Sequence, residues 1–301
     1  MALDYAKVLK AQNISTVVIG RGETSAANFR EKSGWTVETG GLESWLKTSP
    51  TKPDCVIVAV GIEQLAQVAS DLIDFGVGRI LLEKPGGLNS GELKALNYKA
   101  SLKKAQVYIA YNRRFYASTI QAQKMIQDDG GVSSFNFEFT ELSQLVKRAN
   151  PKKEIMNNWF LANSTHVVDL AFFLGGKPEM LTAYTAGSVD WHPKAAEFAG
   201  AGKTGKGVLF SYQANWRAPG RWGVEVLTDK CRYIFRPMEQ LHIQESGSFE
   251  IKKVDIDDRL DQEFKPGLFL QTEAFMNNDY NRFSSLEEQI STCTAYDQMI
   301  P

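Results

Sequence analysis

Residues 55–115 read CVIVAVGIEQLAQVASDLIDFGVGRILLEKPGGLNSGELKALNYKASLKKAQVYIAYNRRF, and this stretch decides the fold. Three short runs in it, 55–60, 79–82 and 106–111, are apolar almost throughout. Alternation of polar and apolar residues would mark a strand wetted on one face; a continuous apolar run marks a strand covered on both. Between the first two runs, Leu65, Val68, Ala69, Leu72 and Phe75 recur at helical spacing. Before Leu93 and Leu96, Asn89 and Glu92 stand three apart, as in a capping box. Strand, helix, strand, helix, strand predicts a doubly wound parallel sheet of Rossmann-like type.

Upstream, 14–19 is a fourth β-rich run and 2–12 reads as a helix. A dinucleotide-binding unit begins with a strand and a glycine-rich turn that feed its first helix. Neither precedes the helix here, as if Met1 fell inside that motif. In the strand order of such sheets the first strand is central, so the runs at 14 and 55 are expected to lack a shared neighbour. Weak cofactor binding and low stability of the chain as written are the expected consequences.

The texture changes after 115. A helix at 117–127 ends in Asp128-Asp129-Gly130-Gly131, and 132–140 alternates with Phe135, Phe137 and Phe139 on one face. A second helix, 164–174, stops at Gly175-Gly176, a helix-ending signal. Strand candidates follow in series at 180–189, 207–216, 223–227, 232–236 and 241–245. Hairpin-length gaps imply an antiparallel sheet, so this half is α+β. The division expected is 1–115, dinucleotide-binding, and 116–301, substrate-binding and oligomer-forming; 301 residues at about 150 per domain agree with two.

Composition narrows the function. Thirty-four basic against 35 acidic residues give a net charge of −1, which argues against a nucleic-acid partner. Hydrophobic residues at 43% and charged ones at 23% belong to an ordinary globular chain. No apolar run has the roughly 18 residues that a bilayer demands, and the first residues do not form a secretory signal. Cys55, Cys231 and Cys293 stand far apart, so neither a metal cluster nor a disulfide framework is expected, in keeping with the cytoplasm.

Ligands of open α/β sheets bind beyond the carboxyl ends of the strands. Glu83-Lys84-Pro85 lies there, and beside a cationic ring a lysine gives up its proton more readily. Tyr111-Asn112-Arg113-Arg114-Phe115 closes the next strand at the same edge. In the second half, Asn163, His166 and Asp169 fall three apart along one side of a helix start. The positive end of the helix dipole there favours neutral imidazole, which accepts a proton from an alcohol. Asn163 also suits the helix N-cap, and a structural reading of His166 as a buried histidine satisfied by Asp169 or by a backbone carbonyl competes with the chemical one.

These segments in this order resemble the glucose–fructose oxidoreductase / inositol dehydrogenase (Gfo/Idh/MocA) family. Phe264-Lys265-Pro266-Gly267-Leu268, with Gln271 and Ala274-Phe275, resembles that family's late substrate-side segment. The resemblance implies an NAD(P)-dependent dehydrogenase acting on a sugar, nucleotide sugar or cyclitol, with Lys84 the active-site lysine and His166 the catalytic histidine. Three departures stand out. The glycine-rich turn is missing, Ala162 occupies the place of an aspartate four residues before the histidine, and Leu65 replaces a histidine after the second strand.

For the cofactor, the turn Gly20-Arg21-Gly22 offers an arginine where NAD sites place an acid, and Ser25 adds a donor. NADP is therefore expected over NAD. Ala59, Val60, Glu83, Lys84 and Asn112 line the strand ends toward it. Tyr111, Arg114, Asn163 and Lys265 are the expected substrate contacts, and Trp159, Trp191, Trp216 and Trp222 are candidate sugar-stacking faces. An open antiparallel sheet rich in aromatics predicts a homodimer or homotetramer. The rival expectation is a non-catalytic relative that binds a sugar or nucleotide with a degenerate cofactor site.

Overall fold

The structure is a computed structural model, and it describes residues 1–149 and 151–300. In chain order it begins with α1 (Ala2–Ala11), α2 (Glu23–Ser33), α3 (Gly41–Lys47), β1 (Val56–Val58), α4 (Leu65–Asp74), β2 (Arg79–Glu83), α5 (Ser90–Lys103) and β3 (Gln106–Ala110). Next come α6 (Ala117–Asp128), β4 (Ser134–Glu138), α7 (Ser143–Ala149), α8 (Lys153–Asn157), α9 (Thr165–Gly175) and β5 (Pro178–Ala186). β6 (Glu197–Thr204), β7 (Leu209–Asn215), β8 (Gly223–Leu227), β9 (Cys231–Phe235), β10 (His242–Glu245) and β11 (Lys252–Lys253) follow. The chain ends with α10 (Arg259–Glu263), α11 (Leu268–Met276), β12 (Ser284–Ser285) and α12 (Leu286–Met299).

Two compact units result: Met1–Ala110 with Leu260–Leu286, and Tyr111–Arg259 with Glu287–Pro301. The sequence reading drew one boundary at 115/116; here the chain returns to its first unit near its end. Packing gives the reason. Tyr5, Val8 and Leu9 of α1 are buried, and α1 packs on α11. Tyr108 of β3 stacks on Tyr280 at 4.3 Å, and Phe275 and Phe283 complete the cluster.

The first unit carries a four-stranded sheet in the order β1-β2-β3-β12. The first three strands are parallel, with Val56 opposite Ile80 and Ile80 opposite Val107. β12 adds an antiparallel edge, Ser284 opposite Ile109. Ile80, Leu81 and Leu82 of β2 have no exposed surface, as the continuous apolar run requires. The N-cap half of the capping box forms, with Asn89 Oδ1 accepting the Glu92 N–H at 3.0 Å, while Glu92 Oε2 reaches one residue further and accepts the N–H of Leu88 at 2.8 Å.

The expected strand at 14–19 reduces to a single parallel bridge between Ile19 and Glu38. No strand among the described residues lies on its other side, and Val17 is 61% exposed. For the same reason β1 keeps only three of the six residues expected at 55–60. A strand with one neighbour retains few ladder bonds to hold its ends.

The second unit carries an eight-stranded sheet in the order β11-β10-β9-β8-β4-β7-β6-β5. Only the β4–β7 pair is parallel. One face packs on α9 through Phe135, Phe137 and Phe172, with Phe137 and Phe172 edge to face at 5.6 Å. Phe210 and Tyr212 of β7 stack on Phe135 and Phe137 at 5.2 and 5.3 Å. β6 escapes sequence reading because it is Glu-Phe-Ala-Gly-Ala-Gly-Lys-Thr, poor in strand-forming side chains. Its glycines make room for the rings: a Cβ on Gly200 would stand 2.4 Å from Tyr212 and one on Gly202 2.6 Å from Phe210. The opposite face leaves Met180, Tyr184 and Leu209 at 65%, 70% and 63% exposure. No described helix is long and apolar enough to cross a membrane.

Phe137 is 2% exposed and touches four other aromatic side chains. Its replacement by alanine should cost about 3–5 kcal/mol in denaturant unfolding, the range for a large ring removed from a packed core. Tyr184→Ser, on the open face, should leave monomer stability within about 0.5 kcal/mol.

Candidate functional site

In the first unit, the candidate residues gather beyond the carboxyl end of β2. Glu83, the last residue of that strand, is 8% exposed and accepts the Tyr5 hydroxyl at 2.9 Å. Burial pushes its carboxyl above the usual range, while Tyr5, Lys84, Lys265 and the terminal amine pull the other way. Lys84 follows, half-buried, and the turn closes at Gly86 with φ 90°. Glycine is needed there twice over, for the positive φ and because a Cβ would stand 2.7 Å from Ile109 Cδ1. Lys265 belongs to this group and not to the second unit; its Nζ is 2.8 Å from Met1 Sδ. Tyr5, which the sequence reading did not single out, lies on the buried face of α1 and clamps the acid next to the lysine.

Ala59 and Val60 continue from β1, half-buried and exposed respectively. The turn at 20–22 is pinned to Glu38, whose carbonyl accepts the Gly20 N–H at 2.8 Å. Arg21 is exposed, and no carboxylate among the described residues lies at ion-pair distance from it. Ser25 differs from expectation: its hydroxyl donates to the Gly22 carbonyl at 2.9 Å, closing the first turn of α2.

In the second unit, the chain after β3 enters a short 3-10 turn, Asn112–Phe115. Asn112 and Arg114 are buried in it, so neither is open to a ligand. Arg114 grips Asp169 with two parallel bonds, Nε to Oδ2 at 2.9 Å and Nη2 to Oδ1 at 2.6 Å, and Nη2 also meets Glu288 at 3.0 Å. Burial opposes both charges, yet the acids hold Arg114 above its ordinary value, while Asp169 stays raised by burial against the pull of Arg114. Arg114 is therefore a structural anchor in place of the expected substrate contact. Tyr111 is equally enclosed; its hydroxyl accepts the Gln289 amide at 3.1 Å, and burial drives its pKa well up.

His166 sits in the first turn of α9, half-buried, with Tyr111 edge-on at 6.3 Å and Trp222 tilted at 6.2 Å. Asp169, one of the two structural partners expected for this histidine, is committed to Arg114. Asn163 is not the cap of α9. It lies in a π turn, Phe160–Ser164, and its amide donates to both carboxylate oxygens of Glu141 at 3.0 and 3.2 Å. Ser164 donates to the same carboxylate at 2.6 Å. Burial pushes Glu141 up, and Ser164, Trp159, Asn163 and Trp222 pull it back. The turn that delivers His166 is thus nailed to an acid just past the end of β4. The sequence reading missed Glu141; the only signal was a charged residue immediately after an alternating aromatic strand.

Of the four tryptophans, Trp191 and Trp216 stack on each other at 5.0 Å inside the core, with His192 edge-on to Trp216 at 4.9 Å. Trp159 and Trp222 remain half-exposed beside Glu141.

No family profile matches the chain, and no curated protein does. Solved structures match over nearly the whole length. Levoglucosan dehydrogenase in complex with NADH superposes with a TM-score of 0.79 at 16% identity, over 99% of this chain and 92% of that one. A UDP-N-acetylglucosamine 3-dehydrogenase from Acidithiobacillus ferrooxidans gives 0.76 at 17%, over 99% and 93%. An oxidoreductase from Agrobacterium radiobacter, in complex with NAD+, L-tartaric acid and magnesium, gives 0.77 at 13%, over 99% and 93%. The chain has the fold of these oxidoreductases: a Rossmann-like parallel sheet followed by an antiparallel sheet with helices.

Proposed function

We propose that the chain is an oxidoreductase that moves a hydride between a nicotinamide cofactor and a hydroxyl-bearing carbon of a sugar-like polyol. The observation that carries this reading is His166: a half-buried imidazole in the first turn of α9, walled by two aromatic rings, on a turn fixed by Glu141. Such a ring can take the hydroxyl proton as the alcohol is oxidised and return it in the reverse direction. Lys84, in the strand-end turn of the first unit, is the proposed residue to hold and polarise a hydroxyl oxygen. The fold shared with a levoglucosan dehydrogenase and a UDP-sugar dehydrogenase supports the reading.

The residues present suit a phosphorylated dinucleotide. Arg21 is exposed in the turn after the Ile19–Glu38 bridge with no acid paired to it among the described residues, and a guanidinium there matches a 2′-phosphate, whereas a ribose diol calls for a carboxylate. The cofactor supplies hydride exchange when bound; binding, orientation and the proton belong to the protein. NADP is the proposed cofactor, with the 1–110 part of the first unit as its domain and the second unit holding the substrate.

Lys84→Ala and His166→Ala should each lower cofactor-linked oxidation of polyols roughly a hundredfold or more, the scale of a positioned acid–base group, with little change in melting temperature. Full activity in either variant would remove that residue from the chemistry. Arg21→Ala should weaken NADP by about 1.5–3 kcal/mol in calorimetry and leave NAD unchanged. Equal losses for both cofactors would refute the assignment of Arg21 to the 2′-phosphate.

A further inference from the structure

Arg113 and Arg114 are chain neighbours with opposite fates. Successive residues of a 3-10 turn point about 120° apart, so the two guanidinium groups cannot share a direction. Arg114 turns inward to Asp169 and Glu288. Arg113 instead lies over the Trp222 ring at 5.0 Å, with Tyr116 at 5.8 Å. It is half-buried, and its Nε is wholly enclosed with no acceptor in reach.

Among the described residues no carboxylate pairs with it. Asp169 is taken by Arg114 and Glu141 by Asn163 and Ser164; together with Glu239 they act on Arg113 only through space. Burial pulls the guanidinium below its ordinary value, as expected of a cation that has lost water without gaining a partner. The indole occupies one face of the guanidinium and Nε is enclosed, so the terminal pair of Nη groups is the edge left for a ligand. Trp222 is also the ring beside His166, so a group held on that edge belongs to the site that exchanges the proton.

We propose that Arg113 binds a carboxylate of the substrate, so that the polyol oxidised is a sugar acid or a comparable hydroxy acid. This rests on the oxidoreductase reading above. The planar fork matches the two oxygens of a carboxylate. A phosphate dianion would bring more charge than one guanidinium neutralises, and Arg114 is already committed.

The test is calorimetry on the full chain with matched pairs of one configuration: D-glucuronate with D-glucose, D-galacturonate with D-galactose, D-gluconate with D-glucitol. D-glucose 6-phosphate and D-galactose 6-phosphate form the phosphate arm. At least one acid should bind about tenfold or more tighter than its neutral partner, and Arg113→Gln should abolish that preference. Arg113→Lys, which keeps the charge and the bulk but not the fork, should retain part of it, and melting curves of both variants check that they fold. The proposal is overturned if no acid outbinds its partner, if the preference survives Arg113→Gln, or if a phosphate outbinds the matching carboxylate. Cofactor-linked oxidation of neutral polyols with no preference for acids would sink the Arg113 site alone. An acid preference lost in Arg113→Gln, with no oxidation of any pair, would support the site and sink the oxidoreductase reading.

Discussion

The fork between Arg114 and Asp169 is the interaction on which the candidate site of the second unit depends. Arg114 adjoins Arg113, and Asp169 stands one helical turn after His166. Two parallel charge-assisted bonds between buried side chains therefore tie the 3-10 turn to the first turns of α9. A buried ion pair is weak as a source of net stability, because both charges lose their water. Its value lies in direction. A carboxylate left without its guanidinium in that place would be far costlier than the pair, so the two elements hold a single register. Arg113 and His166 inherit fixed aims from it, and Glu141 fixes the turn on the other side of His166 in the same manner.

That polar frame stands on an apolar floor. Phe135 and Phe137 of β4 and Phe139 just after it project toward α9 and the turn after α8, where Phe160 meets Phe139 edge to face at 5.3 Å. Gly175, at the end of α9, lets the helix lie close on the sheet; a Cβ there would stand 2.3 Å from the Phe135 ring. Sheet and helix are held by the same three phenylalanines that the alternation in the sequence exposes, so the packing of the fold and the placing of His166 have one cause.

Much of this was legible beforehand, and the gaps have physical reasons. β2, β3, α4 and the capping box of α5 follow from local pattern, since each carries its own period or cap. The run at 14–19 has strand-forming residues but lacks a neighbour to pair with, a property no local window contains. β12 is two residues long, too short for any period, and β6 is disguised by glycines that exist for rings on another strand. In the site, residue type pointed to Lys84 and His166 because their places on elements were readable. The sequence reading singles out Arg114 as the substrate contact and passes over Arg113, because a turn and not a residue type decides which of them faces inward. Glu141 was invisible because its partners lie 22 and 23 residues away.

The central claim is hydride transfer with His166 handling the proton. Its most direct measurement is isotopic: incubate the protein with NADP and polyols or sugar acids carrying deuterium on the carbinol carbon, then look for deuterium on the nicotinamide ring by mass spectrometry. The account predicts a labelled nicotinamide from the wild-type chain and labelling roughly a hundredfold or more slower from His166→Ala. Cofactor that binds the wild-type chain yet stays unlabelled with every polyol and acid tried would contradict it.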